Sequence, residues 1–78
     1  YLRLRTVLED RPGALERIAG ILSAREANIY ALRHDRTSRD VAMDDAEVEL
    51  DLETRGHDHV AEVIAALEGA GYEVEVLV

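Results

Sequence analysis

An α+β fold with the element order β-α-β-β-α-β is predicted by three features of the sequence. Leu2, Leu4, Thr6 and Leu8 alternate with Arg3, Arg5 and Val7, the period of a strand with one buried face. Val48, Leu50 and Leu52 alternate in the same way with Glu47, Glu49, Asp51 and Glu53. Two further stretches repeat apolar residues at helical spacing, Leu15, Ile18, Ala19 and Leu22 in one and Val60, Val63, Ile64 and Leu67 in the other. With right-handed crossovers, this order gives a ferredoxin-like sandwich. Its antiparallel sheet has strand order 4-1-3-2, with two helices on one face.

The first strand covers Leu2 to Leu8 and ends at Glu9-Asp10-Arg11-Pro12-Gly13. A helix-like run follows from Leu15 to Ala27. Pro12 has a fixed φ and no N–H to satisfy, so it suits the first helical position. Arg25 falls in the last turn, where a cation complements the negative helix end. Asn28 to His34 reads as the second strand, but its inward face is ambiguous, because Ile29 and Ala31 point opposite to Tyr30 and Leu32. Residues 37–45 are polar and expected to form an exposed loop. The third strand runs from Ala46 to Thr54 and is broken by Arg55-Gly56. Asp58 is expected to cap the second helix, which ends near Gly69 or Gly71. Tyr72, Val74, Val76 and Val78 then alternate with Glu73 and Glu75 as a final strand.

At 78 residues the chain is one small domain, residues 1–78, burying roughly 60 to 65% of its unfolded surface. There is no Cys, so disulfides and thiolate metal sites are absent, in keeping with a cytoplasmic location. No apolar run approaches the ~20 residues of a membrane span, and no signal peptide is visible. The chain begins at Tyr1 rather than Met, and is expected to be a piece of a longer protein or a trimmed form. All nine basic residues are Arg; without Lys, a pyridoxal Schiff base, a phosphate-loop lysine and lysine catalysis are excluded in this segment.

The net charge of -8 is unevenly placed. Residues 1–39 hold eight Arg and five acids, whereas residues 40–78 hold one Arg and twelve acids. No coherent basic face results, which argues against a nucleic-acid partner. In the predicted strand order, the outward Arg3 and Arg5 lie between the acidic rows of the third and fourth strands. The acids are therefore expected to form a solvated, ion-paired sheet face rather than a metal site.

The chemistry concentrates where the first strand meets the first helix. The N–H groups of Gly13, Ala14 and Leu15 have no intrahelical acceptor and, with the helix dipole, attract a carboxylate or phosphate. Asp10, just ahead, offers an acceptor for an ammonium group. One short segment thus carries both halves of a site for a free amino acid, although the same residues also suffice for a plain strand-to-helix turn.

The stretch Asp10-Arg11-Pro12-Gly13-Ala14-Leu15, followed by Asn28-Ile29 at the start of the second strand, resembles the ACT domain, a regulatory amino-acid-binding module. The similarity covers nearly the whole chain. His34-Asp35-Arg36 and the run from Ala46 to Gly56 are similar to the C-terminal ACT domain of threonine ammonia-lyases (threonine dehydratases). The resemblance implies a non-catalytic domain that pairs as a homodimer, with the ligand at the junction. It implies that Asp10, Gly13, Ala14 and Leu15 of one subunit face the ligand and that Asn28 of the neighbour completes the site. Leu8, Leu15 and Ile29 are apolar neighbours favouring a branched aliphatic ligand, isoleucine or valine. No cofactor is implied within this domain; pyridoxal phosphate is expected only in the separate catalytic domain of a threonine ammonia-lyase of isoleucine biosynthesis. Two departures stand out. Glu26 occupies a position where the family usually has Gly, and Asp10 one where some relatives carry Asn.

Other readings of the same fold make different demands. An acylphosphatase-like hydrolase needs an Arg in the first loop, for which Arg11 would serve, and an Asn on the third strand. The chain's one Asn, Asn28, opens the second strand instead. An RNA-binding sheet needs exposed aromatics on its central strands, and the chain has neither Phe nor Trp. His34, His57, Asp58 and His59 are metal-ligand types, but a structural role suits both His of the second helix better. A dimerisation module of the same fold without a ligand remains the principal alternative.

Overall fold

The structure is a computed structural model describing residues 1–9, 11–35 and 45–77. Asp10, Val78 and the expected polar loop, apart from Asp45, lie outside the described residues. The elements are β1 (Leu2–Glu9), α1 (Ala14–Ala24), β2 (Asn28–Asp35), β3 (Asp45–Glu53), α2 (His57–Gly69) and β4 (Val74–Val76). The sheet is antiparallel in the order β2-β3-β1-β4, which is the predicted order read from the other edge.

Strict alternation explains the central pair. Leu2, Leu4, Thr6 and Leu8 sit opposite Leu52, Leu50, Val48 and Ala46, and all eight are buried. Ile18 and Leu22 of α1 and Val63 and Leu67 of α2 pack on this row. Each such aliphatic side chain contributes about 1.5–3 kcal/mol on full burial. Thr6, the polar member of the row, donates its hydroxyl to the Glu73 carbonyl at 2.7 Å, so its polar group is satisfied.

The ambiguity of β2 is resolved by a β-bulge. Ile29 pairs with Leu52 and Ala31 with Asp51, leaving Tyr30 as the extra residue. The bulge inverts the alternation. Ile29, Leu32 and His34 share the helix-side register, opposite Leu52, Leu50 and Val48, while Ala31 and Arg33 lie on the open face opposite Asp51 and Glu49. A single period of two could not place Ile29 and Leu32 on one side.

The open face carries the expected charge lattice, with Arg33 added. Arg3 Nε donates to Asp51 Oδ1 at 2.7 Å, and Arg33 reaches both Asp51 (3.2 Å) and Glu49 (3.0 Å). Arg5 bonds Glu49 at 3.1 Å and Glu75 at 3.3 Å. Its Nε also lies 3.2 Å from Glu47, an ion pair without the alignment of a hydrogen bond. These contacts tie all four strands together across the face away from the helices.

Both helices end in Schellman motifs. Gly71 (φ 98°) and Tyr72 donate to the carbonyls of Glu68 and Leu67, and Glu26 and Ala27 do the same to Ser23 and Leu22. Glu26 therefore takes up the left-handed φ of 59° that its position demands, and α1 ends at Ala24, short of the run to Ala27 that the apolar spacing suggests. Glu26→Gly is expected to stabilise the fold by up to about 1 kcal/mol, measured by urea unfolding, less what the exposed Glu26–Arg55 ion pair (2.9 Å) contributes.

Four local expectations need correction. Pro12 precedes the helix: Ala14 N–H bonds the Arg11 carbonyl at 3.2 Å and Gly13 has φ 88°, ψ −14°, a type II turn with Pro and Gly at its centre. Arg25 stands at the C-cap, one residue past α1, and its guanidinium reaches Glu62 at 3.4 Å. Asp58 lies within the first turn of α2, whose N-cap is Gly56 with no side-chain cap. Among the described residues the last strand covers Val74–Val76, starting after Tyr72 because the helix cap engages that residue; Val78 lies outside the described residues.

Candidate functional site

The turn at Arg11–Ala14 opens a cleft of about 380 Å³ between the end of β1, the start of α1 and the end of β2. The volume suits a small ligand. Leu8, Ala14 and Leu15 supply apolar walls, and Gly13 lies at the bend. The N-terminus of α1 faces this space, but the turn alters the donor set. Ala14 N–H is engaged by Arg11, whereas Leu15 and Glu16 have no backbone acceptor for their N–H groups among the described residues. Those two donors, backed by the helix dipole, are suited to a carboxylate. The rim holds the Glu9–Arg11 ion pair and Glu16, and His34 enters from β2.

Of the residues expected in the site, Gly13, Ala14 and Leu15 come together here. Asn28 and Ile29 do not. They line a second cleft of about 390 Å³ with Ser23, Glu26 and Ala27, at the opposite end of β2. Asn28 and His34 are six residue steps apart along the strand, a span of about 20 Å. One chain therefore presents two separate clefts, and Arg11 and Asn28, which line different ones, are not close enough to act on one phosphate. From the sequence His34 is a metal-ligand type on the second strand; its place in the cleft depends on the bulge at Tyr30.

The other histidines lie elsewhere. His59 is 5% exposed; its Nδ1 accepts the Arg55 N–H at 2.8 Å and its Nε2 lies 2.6 Å from the Arg25 carbonyl. With Nδ1 accepting, the ring proton is on Nε2, and both nitrogens are used structurally. Among the described residues no three His, Asp or Glu side chains converge to hold a metal. None of the described helices is long and apolar enough to cross a membrane.

Two clefts thus lie at opposite ends of an edge strand, one of them built on a Pro-Gly turn and a helix start. Comparison with known families decides the matter, since residues 2–72 match the ACT domain. The chain belongs to the ACT domain family. It is 47% identical over 77 residues to L-threonine ammonia-lyase of Geobacter sulfurreducens, covering 99% of this chain and 19% of that protein. It is 38% identical over 74 residues to the L-threonine ammonia-lyase of Thermotoga maritima, covering 95% and 18%. This ACT domain thus spans about a fifth of the curated relatives it matches. Among solved structures, the regulatory subunit of aspartate kinase from Thermus thermophilus superposes with a TM-score of 0.73 at 16% identity, over 99% of this chain and 50% of that one. Prephenate dehydratase from Staphylococcus aureus gives 0.73 at 19% identity, over 96% and 28%. At such identities the likeness concerns the fold alone. An ACT domain is a regulatory unit, and the βαββαβ sheet described above is its fold.

Proposed function

We propose that this ACT domain is a non-catalytic sensor that binds a small amino acid between two copies of itself and controls a linked metabolic enzyme. The observation that carries the reading is the separation of the two clefts along β2. This strand is an eight-residue edge with Tyr30 57% and Leu32 40% exposed, a surface that invites pairing. A two-fold antiparallel pairing of β2 with β2 would bring Asn28 of a second copy to the His34 end of the first. The helix start then holds the carboxylate, Asp10 the ammonium group, and Asn28 of the second copy either. Leu8 and Leu15, with Ile29 of the second copy, favour isoleucine or valine. The enzyme is proposed to be a cytoplasmic, pyridoxal-phosphate-dependent threonine ammonia-lyase, in which case no cofactor is needed in this domain. Ligand alters the enzyme only by binding one arrangement of the pair better than another.

A few hydrogen bonds to a charged ligand, less the association penalty, place the affinity between about micromolar and millimolar. Titration calorimetry of the dimer with a panel of amino acids tests the reading. A response to isoleucine or valine supports it; no heat with any member, on a sample shown by light scattering to be dimeric, leaves a ligand-free dimerisation module. Asp10→Ala and Asn28→Ala are each expected to weaken binding by about tenfold or more without altering the thermal melt. Unchanged affinity in both dismisses these two contacts.

A further inference from the structure

We infer that His34 donates a ring N–H to the carboxylate of the bound amino acid, making it the residue by which the cleft selects acids over neutral analogues. The inference rests on the reading just proposed and assigns a contact within that site.

The bulge at Tyr30 carries the argument. With regular alternation from Ile29, the helix side of β2 would present Ala31 and Arg33, and His34 would fall on the open face. One extra residue exchanges them. Arg33 goes to the charge lattice, where it engages Glu49 and Asp51, and His34 is placed opposite Val48 and lines the cleft. Bulges re-aim side chains in this way beside functional sites. His34 is exposed and takes no part in the core, in contrast to His59, whose two nitrogens are both engaged and buried.

The donor requirements of the cleft agree. The type II turn consumes the Ala14 N–H, so the helix start offers only Leu15 and Glu16 among its first three N–H groups. A carboxylate has two oxygens and up to four acceptor positions. The facing wall from β2 is where a further donor is needed, and an imidazole has a ring N–H to donate whether neutral or charged. Arg11, the cation among the described residues of the rim, is held by Glu9. A carboxylate bridging α1 and His34 would also join the helix start to the edge strand, and so link occupancy of the cleft to the pairing surface.

Calorimetry with L-isoleucine and L-valine, and with the carboxamide of each, tests this on the unsubstituted protein, His34→Ala and His34→Gln. His34→Ala is expected to weaken the acids by about 10- to 100-fold and the carboxamides far less, with an unchanged melt. His34→Gln, which restores a donor, is expected to recover part of the loss. Equal weakening of acids and carboxamides, or acid affinity in His34→Ala equal to that of the unsubstituted protein, overturns the inference while leaving the amino-acid reading intact. No heat from the unsubstituted protein with either acid overturns both.

Discussion

His59→Ala is expected to destabilise the domain by about 2–4 kcal/mol, the largest loss from any single polar side chain here. The imidazole joins two corners that the sequence keeps far apart. Its Nδ1 takes the Arg55 N–H before α2, and its Nε2–H donates to the Arg25 carbonyl at the end of α1. Truncation strands both backbone groups and opens a void beneath the first turn of α2. An unsatisfied buried donor or acceptor costs about 1–3 kcal/mol, and the missing ring adds a cavity contribution. His59→Phe separates the two effects, since it refills the space without restoring either bond. Urea unfolding is expected to rank His above Phe and Phe above Ala. A Phe variant as stable as the natural protein would show that the two hydrogen bonds contribute nothing net.

The legibility of the fold follows from how strictly each strand alternates. Leu2 to Leu8 and Val48 to Leu52 keep a period of two throughout, so their buried faces and charge complementarity follow from period and sign, while the central place of β1 follows from the element order with right-handed crossovers. β2 breaks the rule by one residue at Tyr30, and only its pairing with β3 shows where the break falls. That is why Arg33 was absent from the expected lattice and His34 from the expected site. The helix start was legible in kind but not in register, because Pro-Gly satisfies a type II turn as readily as a first helical turn. Glu26 was the reverse case: the residues alone placed it inside the helical run, and only the family's usual Gly pointed to the left-handed φ that closes the Schellman motif.

The second large effect is expected in acid, at Asp51. Its side chain is only 7% exposed although it lies on the open side of the sheet; Arg3 and Arg33 bond it, and Tyr1 and Tyr30, with ring centroids 5.4 Å apart, line the same hollow. The hydrogen bond from Arg3, then that from Arg33, holds the Asp51 carboxyl below its ordinary range. Arg33 first and Arg5 second do the same for Glu49. A group with a depressed folded-state pKa lends stability that is complete above its unfolded value, about 4 for these carboxyls, and is lost as the pH falls through the lower folded value. Stability is therefore expected to hold through neutrality and to decline below about pH 5. Asp51→Asn keeps the shape but removes the charge, leaving Arg3 and Arg33 facing each other. The variant is expected to melt well below the natural protein at pH 7, and the gap is expected to narrow steadily as the pH falls toward the folded-state value. A gap that stays constant between pH 7 and pH 3 would assign the effect to packing, and the clamp would then owe nothing to the charge on Asp51.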